Sequence, residues 1–337
     1  MYVTPRPDLI EDPLYAVRLA AIGTLGYVAI ALLNPALPPI VAALPLGLIA
    51  AQRKAFNPVK AIAGPLAMMA MAFVLTWFVE TLRPMPLVYV GAMWLAYFAG
   101  YRMILQTGAQ AGMLIVIMAV LMSIMGMNGS ATVETLRDGF VQASLVALVI
   151  GPLVYLLLPP RTTEQHVDQP TPSDGNVTMG AMIRATVLLV FSFWLYAVMQ
   201  PSDMMMAIIA AMVLVFPTRH AVFSEAMQRI RATVIGSGLA LGMLAIYTLS
   251  PHLPVVLGLI FLIGLWLGHK MLSGRHPSMV YQYAFSVALA LIAGALSTQD
   301  AGYAVFTRIV LTLTGALAAA LAVAVLDGLT GWRDQPA

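Results

Sequence analysis

The sequence predicts an all-α polytopic membrane protein with about 12 transmembrane helices, arranged as two parallel six-helix repeats (6+6). Hydrophobic residues make up 61% of the 337-residue chain and charged residues only 9%, whereas a soluble domain has about 25% charged residues. The apolar residues occur in long continuous runs, and helices satisfy their own backbone hydrogen bonds in lipid. A third observation is that landmarks in the first half recur in the second.

Twelve apolar segments are predicted as helices. They lie at residues 15–33, 36–51, 60–82, 85–105, 108–127, 138–158, 183–200, 203–217, 231–249, 254–272, 279–297 and 303–326. The segments 36–51 and 203–217 are short, since a hydrocarbon core of about 30 Å takes about 20 helical residues. Each of them follows a turn that contains proline. If these two segments do not span the membrane, the count falls to ten.

The residues 159–182 form the one long polar stretch inside the chain and are rich in Pro, Thr, Asp and Gln. Such a composition is typical of a linker. It divides the chain into a first six-helix repeat at 1–158, a cytoplasmic linker at 159–182 and a second six-helix repeat at 183–337.

The two halves carry matching landmarks at a nearly constant offset. Arg18 and Arg184 are 166 residues apart, as are Arg53 and Arg219. Further matches are Pro84 with Pro251, Gly91 with Gly258, Gly100-Tyr101-Arg102-Met103 with Gly268-His269-Lys270-Met271, and Arg137 with Arg308. The offset rises only from 166 to 171 along the chain, which favours an internal duplication.

The distribution of basic residues predicts the orientation. If the N-terminus is cytoplasmic and twelve spans alternate, the cytoplasmic side holds fourteen of the seventeen basic residues. The three on the other side are Arg83, Arg137 and Arg308. This asymmetry favours both termini in the cytoplasm (N-in/C-in). Since six spans is an even number, the two repeats then share one orientation.

A short motif in the second half carries a family resemblance. Arg229, Ala232, Thr233 and Gly236 follow the pattern R-x-x-A-T-x-x-G. This resembles the R-x-x-G-T-x-x-G pattern of fusaric-acid-resistance-type (FUSC-like) membrane proteins of the aromatic acid exporter superfamily, with Ala232 where Gly is usual. The chain looks like a compact, membrane-only branch of that family.

The resemblance implies an efflux component of the bacterial inner (cytoplasmic) membrane for aromatic carboxylates or similar compounds. It also implies a periplasmic adaptor (membrane fusion) protein as partner, with an outer-membrane channel and a homo-oligomer as further options. Arg229 at a cytoplasmic helix start can collect an anion or simply contact lipid headgroups. Thr233 and Gly236 fit close helix packing.

Matched basic residues are the candidate substrate contacts. Arg137 and Arg308 lie against the charge bias, and together they can line an anion path. The alternative is that both side chains reach the outer interface, or that Arg137 pairs with Asp138 or Glu134. Further candidate substrate contacts are Arg102, Lys270, Arg53, Arg219, Tyr281 and Tyr283. The alternative is that these side chains anchor helix ends at the membrane surface.

Proton coupling requires a carboxylate that titrates in a protected site. Asp203, which opens a Met-rich segment, is the first candidate and Asp138 the second. The alternative for Asp203 is a helix N-cap. Because no Asp or Glu lies in the middle of a predicted span, a passive pore also stays open.

The sequence offers no sign of enzyme chemistry or of a cofactor. The chain has no cysteine and no nucleotide-binding, zinc-hydrolase or serine-hydrolase motif. The leading interpretation is an efflux transporter subunit for aromatic or amphipathic organic anions, proton-coupled and acting with an adaptor protein. The alternatives are a membrane scaffold that docks the adaptor without transport of its own, and an anion channel.

Overall fold

The computed structural model describes residues 10–50, 55–107, 110–164, 176–198, 219–297, 310, 314, 317, 318 and 320–329. All regular structure in these residues is helical. In the first half the helices are α1 (Tyr15–Leu33), α2 (Pro38–Ala50), α3 (Pro58–Leu82), α4 (Pro86–Thr107), α5 (Gln110–Asn128) and α6 (Ser130–Leu157). In the second half they are α7 (Val177–Val198), α8 (Arg219–Leu249), α9 (Leu253–Ser273), α10 (Ser278–Ser297) and α11 (Ala320–Leu329).

Eight of the described helices are long and apolar enough to cross a membrane, namely α1, α3, α4, α6, α7, α8, α9 and α10. The shorter apolar segments among the described residues are Pro38–Gly47 in α2, Gly112–Asn128 in α5 and Ala320–Leu329 in α11. With 13 residues, α2 is about 20 Å long at 1.5 Å per residue. The predicted segment 203–217 lies outside the described residues, so ten and twelve spans both remain predictions.

Helix ends follow local sequence signals. Asn34 ends α1 with a left-handed φ of 44°, a conformation that Asn tolerates. The Asn57 side chain accepts a hydrogen bond from the Lys60 N–H at 3.1 Å and caps α3. Gly129, with a φ of 148°, makes the sharp turn between α5 and α6.

Two helices begin earlier than the sequence predicted. α6 begins at Ser130 rather than 138, and α8 begins at Arg219 rather than 231. In both cases the apolar segment is preceded by a polar stretch without a helix breaker, so the helix extends through it. The basic stretch that contains Arg229 and Arg231 is therefore a helical turn and not a loop.

The two ends of the bundle can be told apart by short-range contacts. Arg18 Nη1 donates a hydrogen bond to the Leu158 carbonyl at 3.0 Å, and Phe56 packs on Tyr155. Arg18, Phe56 and Leu158 therefore lie at one end of the bundle, which we call the basal end. The α3–α4 and α5–α6 turns lie at the opposite, distal end, where Arg83 and Ser130 line a common cleft. The helices α1 to α6 therefore alternate in direction and return to the basal end.

α7 also begins at the basal end. Its Arg184 is within electrostatic reach of Tyr101, near the end of α4, and Thr186 accepts a hydrogen bond from Trp94 Nε1 at 3.0 Å. The short α3–α4 turn fixes the end of α4 at the basal end. Thus α1 and α7, which the sequence matches, start at the same end of the bundle.

The packing crosses between the two halves of the chain. α1 packs on α9 of the second half, while α7 packs on α4 of the first. One apolar core combines α3, α4, α5 and α7, and the other combines α1, α2, α8, α9 and α10. α6 contributes to both, with Val133, Leu136 and Phe140 in the first core and Ala143 to Tyr155 in the second.

Candidate functional site

The family-like motif occupies one face of α8 at the basal end. Arg229, Thr233 and Gly236 are spaced at i, i+4 and i+7, which places them on a single helix face. Thr233 is buried. A Cβ on Gly236 would collide with the Ala284 carbonyl oxygen of α10, so this glycine permits the close approach of α8 and α10. The motif therefore faces α10.

Arg229 contacts Tyr283, one of the residues that the sequence predicted as a substrate contact. Its Cζ lies 4.5 Å from the centre of the Tyr283 ring, a cation–π geometry. Both side chains are half-buried. The neighbouring Gln282 is buried, and its Oε1 has no hydrogen-bond partner in the described part of the chain. A guanidinium, an aromatic face and an amide oxygen thus lie on neighbouring residues of the α8–α10 interface.

Tyr281 has a different environment from Tyr283. It is buried, and its hydroxyl accepts a hydrogen bond from the His276 N–H at 3.2 Å. A side chain on Gly274 would collide with its ring. Tyr281 therefore holds the α9–α10 turn together from inside.

At the distal end, Arg137 and Asp138 pair with each other. Arg137 Nη2 lies 2.9 Å from Asp138 Oδ1, and Arg137 Cζ lies 5.6 Å from the Phe73 ring centre. The Asp138 side chain is 55% exposed. Asp138 is thus held in a solvent-accessible ion pair, which differs from the protected site that proton coupling calls for.

A cleft opens beside this pair at the distal end. It has a volume of about 470 Å³ and is lined by Glu80, Arg83, Pro84, Ser130 and Glu134. The lining joins the end of α3 to the start of α6. The cleft therefore adds a second group of charged side chains to this end of the bundle.

The remaining residues that were predicted to contact substrate or to couple protons lie near helix ends or outside the described residues. Arg102 is exposed in the last turns of α4, and Lys270 Nζ lies 5.8 Å from the Trp266 ring centre near the end of α9. Arg53, Asp203 and Arg308 lie outside the described residues, as does the side chain of Arg219. Among the described residues no group of three or more His, Cys, Asp or Glu residues is arranged to hold a metal ion.

Two arginines that sequence reasoning treated only as landmarks are completely buried. Arg18 of α1 is 2% exposed and pairs with Asp12, which is equally buried. It also donates to the Leu158 carbonyl, and its Cζ lies 4.4 Å from the Tyr155 ring centre. Burial raises the pKa of the Asp12 carboxyl, and the Arg18 charge opposes that shift. This cluster ties the N-terminal segment, α1 and the end of α6 together.

Arg184 of α7 is 0% exposed and faces Asp327 of α11, which is 3% exposed. Arg184 Nη2 lies 3.5 Å from Asp327 Oδ2, and Nη1 donates to the Gly180 carbonyl at 3.1 Å. Arg18 and Arg184 therefore each join the first helix of a half to the last part of the same half. The signal that could have found them was their shared offset of 166 residues together with their place inside apolar segments.

One of three comparisons with known proteins supports the family resemblance of the Arg229 motif. Searches of the curated proteins and of the solved structures gave no match. The family model described as fusaric acid resistance protein-like matches residues 186–322, a range that contains the Arg229 motif and the Tyr283 side chain beneath it. The match confirms the resemblance expected from the sequence: residues 186–322 are fusaric acid resistance protein-like, and the chain is a multi-pass membrane protein that carries this family region in its second half.

Proposed function

We propose that the protein is an efflux transporter subunit for aromatic or amphipathic organic anions. The observation that carries the proposal is the Arg229 guanidinium over the Tyr283 ring, at the basal end and on the family motif. A guanidinium binds a carboxylate in a bidentate manner, and an aromatic face packs against the ring of an aromatic acid. The two halves of such a substrate thus meet complementary groups on neighbouring helices.

We place the basal end in the cytoplasm of a bacterial inner membrane, with two parallel six-helix repeats. Three observations support this arrangement: α1 and α7 begin at the same end, the α1–α9 and α7–α4 contacts are reciprocal, and the matched arginines have equivalent positions. Basic residues favour the cytoplasmic side of a membrane. An anion then meets a positive field before it enters the bundle.

The proposed path runs from the basal to the distal end. Four basic residues raise the local anion concentration at the cytoplasmic mouth, namely Arg102, Lys270, Arg53 and Arg219. Arg137 and Arg308 provide the last basic contacts on the other side. Proton coupling is assigned to Asp203 rather than to Asp138, because Asp138 is held in a solvent-accessible ion pair. We further propose that a periplasmic adaptor protein binds the distal end, where the cleft between α3 and α6 offers polar contacts.

The test is uptake of labelled 4-hydroxybenzoate into proteoliposomes, with and without an imposed pH gradient. Gradient-dependent accumulation supports a secondary transporter. Arg229→Gln should lower the initial rate by about tenfold or more, since a hydrogen-bonded charge contributes about 1.5–3 kcal/mol. The matched control is Arg231→Gln, which removes an exposed charge two residues away on the same helix. Equal rates for the two variants would remove Arg229 from the mechanism.

The same assay separates the alternative functions. Equilibration that ignores the pH gradient would identify a facilitator or an anion channel. A membrane scaffold that only docks an adaptor would move no substrate, either alone or when the adaptor is reconstituted with it. Because the natural chain has no cysteine, single cysteines placed at Glu134 and at Arg161 also test the orientation. Labelling of Glu134→Cys from the periplasm, and not of Arg161→Cys, is the expected result.

A further inference from the structure

The Arg184–Asp327 pair lies where a membrane protein rarely places charges. Both side chains are almost completely buried, and they belong to α7 and α11, two helices of an apolar bundle. An ionisable residue inside a membrane segment is costly and usually has a functional role. The pair is part of neither the Arg229 motif nor the predicted set of substrate contacts.

The geometry of the pair is loose. The distance of 3.5 Å between Arg184 Nη2 and Asp327 Oδ2 exceeds the 2.7–2.9 Å that is typical of a charge-assisted hydrogen bond. Arg184 Nη1 uses the Gly180 carbonyl of its own helix. In the Arg18 cluster, by comparison, the ion pair between Arg18 and Asp12 is shorter than the one between Arg184 and Asp327.

A second possible donor lies within electrostatic reach of Arg184. Tyr101 of α4 is fully buried and within electrostatic reach of Arg184. In the described residues its hydroxyl has no hydrogen-bond partner. A buried hydroxyl without a partner is uncommon and calls for an explanation. A guanidinium and a phenol hydroxyl can both donate hydrogen bonds to an incoming carboxylate.

We infer that Arg184 and Tyr101 form a second carboxylate-binding site for the transported anion, in addition to Arg229, and that the Asp327 carboxylate pairs with Arg184 when this second site is empty. This inference rests on the proposed function. Replacing one carboxylate by another keeps Arg184 paired at every stage. That matters because a buried charge that loses its partner destabilises a protein strongly.

The test uses calorimetric titration of the purified protein with 4-hydroxybenzoate. Asp327→Asn removes the competing carboxylate and leaves an amide oxygen for Arg184. The apparent affinity should then rise on the order of tenfold, because apparent affinity falls with the fraction of molecules in the competent state. Unchanged or weaker binding by folded Asp327→Asn protein would overturn the inference.

A double variant covers the case in which the single variant does not fold. Arg184→Gln with Asp327→Asn neutralises both partners and leaves no buried charge, a change that proteins tolerate better than the loss of one partner. Its affinity should fall about 10- to 100-fold, the value of a hydrogen bond to a charged group. The matched control, Arg18→Gln with Asp12→Asn, neutralises the equivalent pair in the first half and should keep the wild-type affinity.

The outcomes separate this inference from the proposed function. Wild-type affinity in the Arg184→Gln, Asp327→Asn protein overturns the assignment of the site and leaves the transporter intact. An absence of binding by both the wild type and the Asp327→Asn protein overturns the proposed function as well. Reduced binding by the first double variant alone supports both.

Discussion

Arg18 and Arg184 lie 166 residues apart, and each joins the first helix of one half of the chain to the last part of that half, but their surroundings differ. Arg18 is held by Asp12, by the Leu158 carbonyl and by the Tyr155 ring. The contacts of Arg184 include a carboxylate at 3.5 Å and a carbonyl within its own helix. Tyr101, which is within electrostatic reach of Arg184, has a hydroxyl with no partner in the described residues. If our inference holds, one of two matched positions serves as a structural tie and the other as a binding site.

The helices that carry the two arginines also pack differently. α1 approaches α9 through small residues, and a Cβ on Gly268 would lie 2.8 Å from the Ala16 Cα. α7 contacts α4 through larger polar and aromatic groups, including the hydrogen bond from Trp94 to Thr186. Close backbone packing suits a fixed contact, whereas side-chain contacts allow rearrangement.

The largest effect is expected from Asp12→Asn. It leaves Arg18 buried without its carboxylate, which should reduce stability by about 3–5 kcal/mol. Asp327→Asn should cost clearly less, because its ion pair is longer. Thermal unfolding in detergent, followed by circular dichroism, measures both. If Asp327→Asn proved equally or more destabilising, the description of the first pair as tight and the second as loose would fail.

A smaller loss is expected when the α1–α9 contact is overfilled. Gly268→Val places a side chain against the Ala16 backbone, and overpacking of this kind costs about 1–3 kcal/mol. Gly258→Val on the same helix is the control, because nothing lies within 4 Å of a Cβ at that position. The comparison uses the midpoint temperatures of the two proteins. Equal midpoints would show that α1 and α9 can separate at no cost.

The cation–π contact of the first cluster predicts a moderate effect. Tyr155→Leu removes the ring beneath Arg18, and a desolvated contact of this type contributes up to about 2 kcal/mol. Tyr155→Phe keeps the ring and should retain most of that stability. The two variants are compared by thermal unfolding under the same conditions. A Phe variant as unstable as the Leu variant would assign the effect to the hydroxyl instead.

The smallest effect carries the opposite sign. Tyr101→Phe removes a buried hydroxyl without a partner in the described residues, and relief of that desolvation should raise stability by about 1 kcal/mol. The same variant should weaken 4-hydroxybenzoate binding. Trp94→Phe, which loses a hydrogen bond to Thr186, should lower stability instead. Destabilisation by Tyr101→Phe would mean that its hydroxyl is satisfied in the empty protein.

Much of the fold was predictable because apolar length and proline turns set the helix ends. The predicted segments 15–33 and 60–82 match α1 and α3 closely. The early starts of α6 and α8 were missed because polar turns such as Ser130 to Asp138 have no helix breaker, and composition alone suggested a loop. The crossed packing of α1 with α9 could not be predicted, since it depends on contacts between distant residues.

The candidate site was predictable only in part. The motif led to Arg229, Thr233 and Gly236, and Tyr283 was named without its partner. Arg18 and Arg184 were predicted to be matched positions of a repeat, but their carboxylate partners lie outside the predicted apolar segments. Asp327 falls one residue beyond the segment 303–326 and Asp12 three residues before 15–33. A buried ion pair of this kind depends on tertiary contacts that spacing does not encode.

The most direct test of the account is counterflow in proteoliposomes of the purified protein. Vesicles loaded with unlabelled 4-hydroxybenzoate are diluted into a trace of the labelled acid, without a pH gradient. A carrier should accumulate the label transiently above its external concentration, and Arg229→Gln should reduce this accumulation while Arg231→Gln does not. Equilibration without an overshoot would contradict a carrier and indicate a channel, and the absence of any flux would contradict transport by this chain alone.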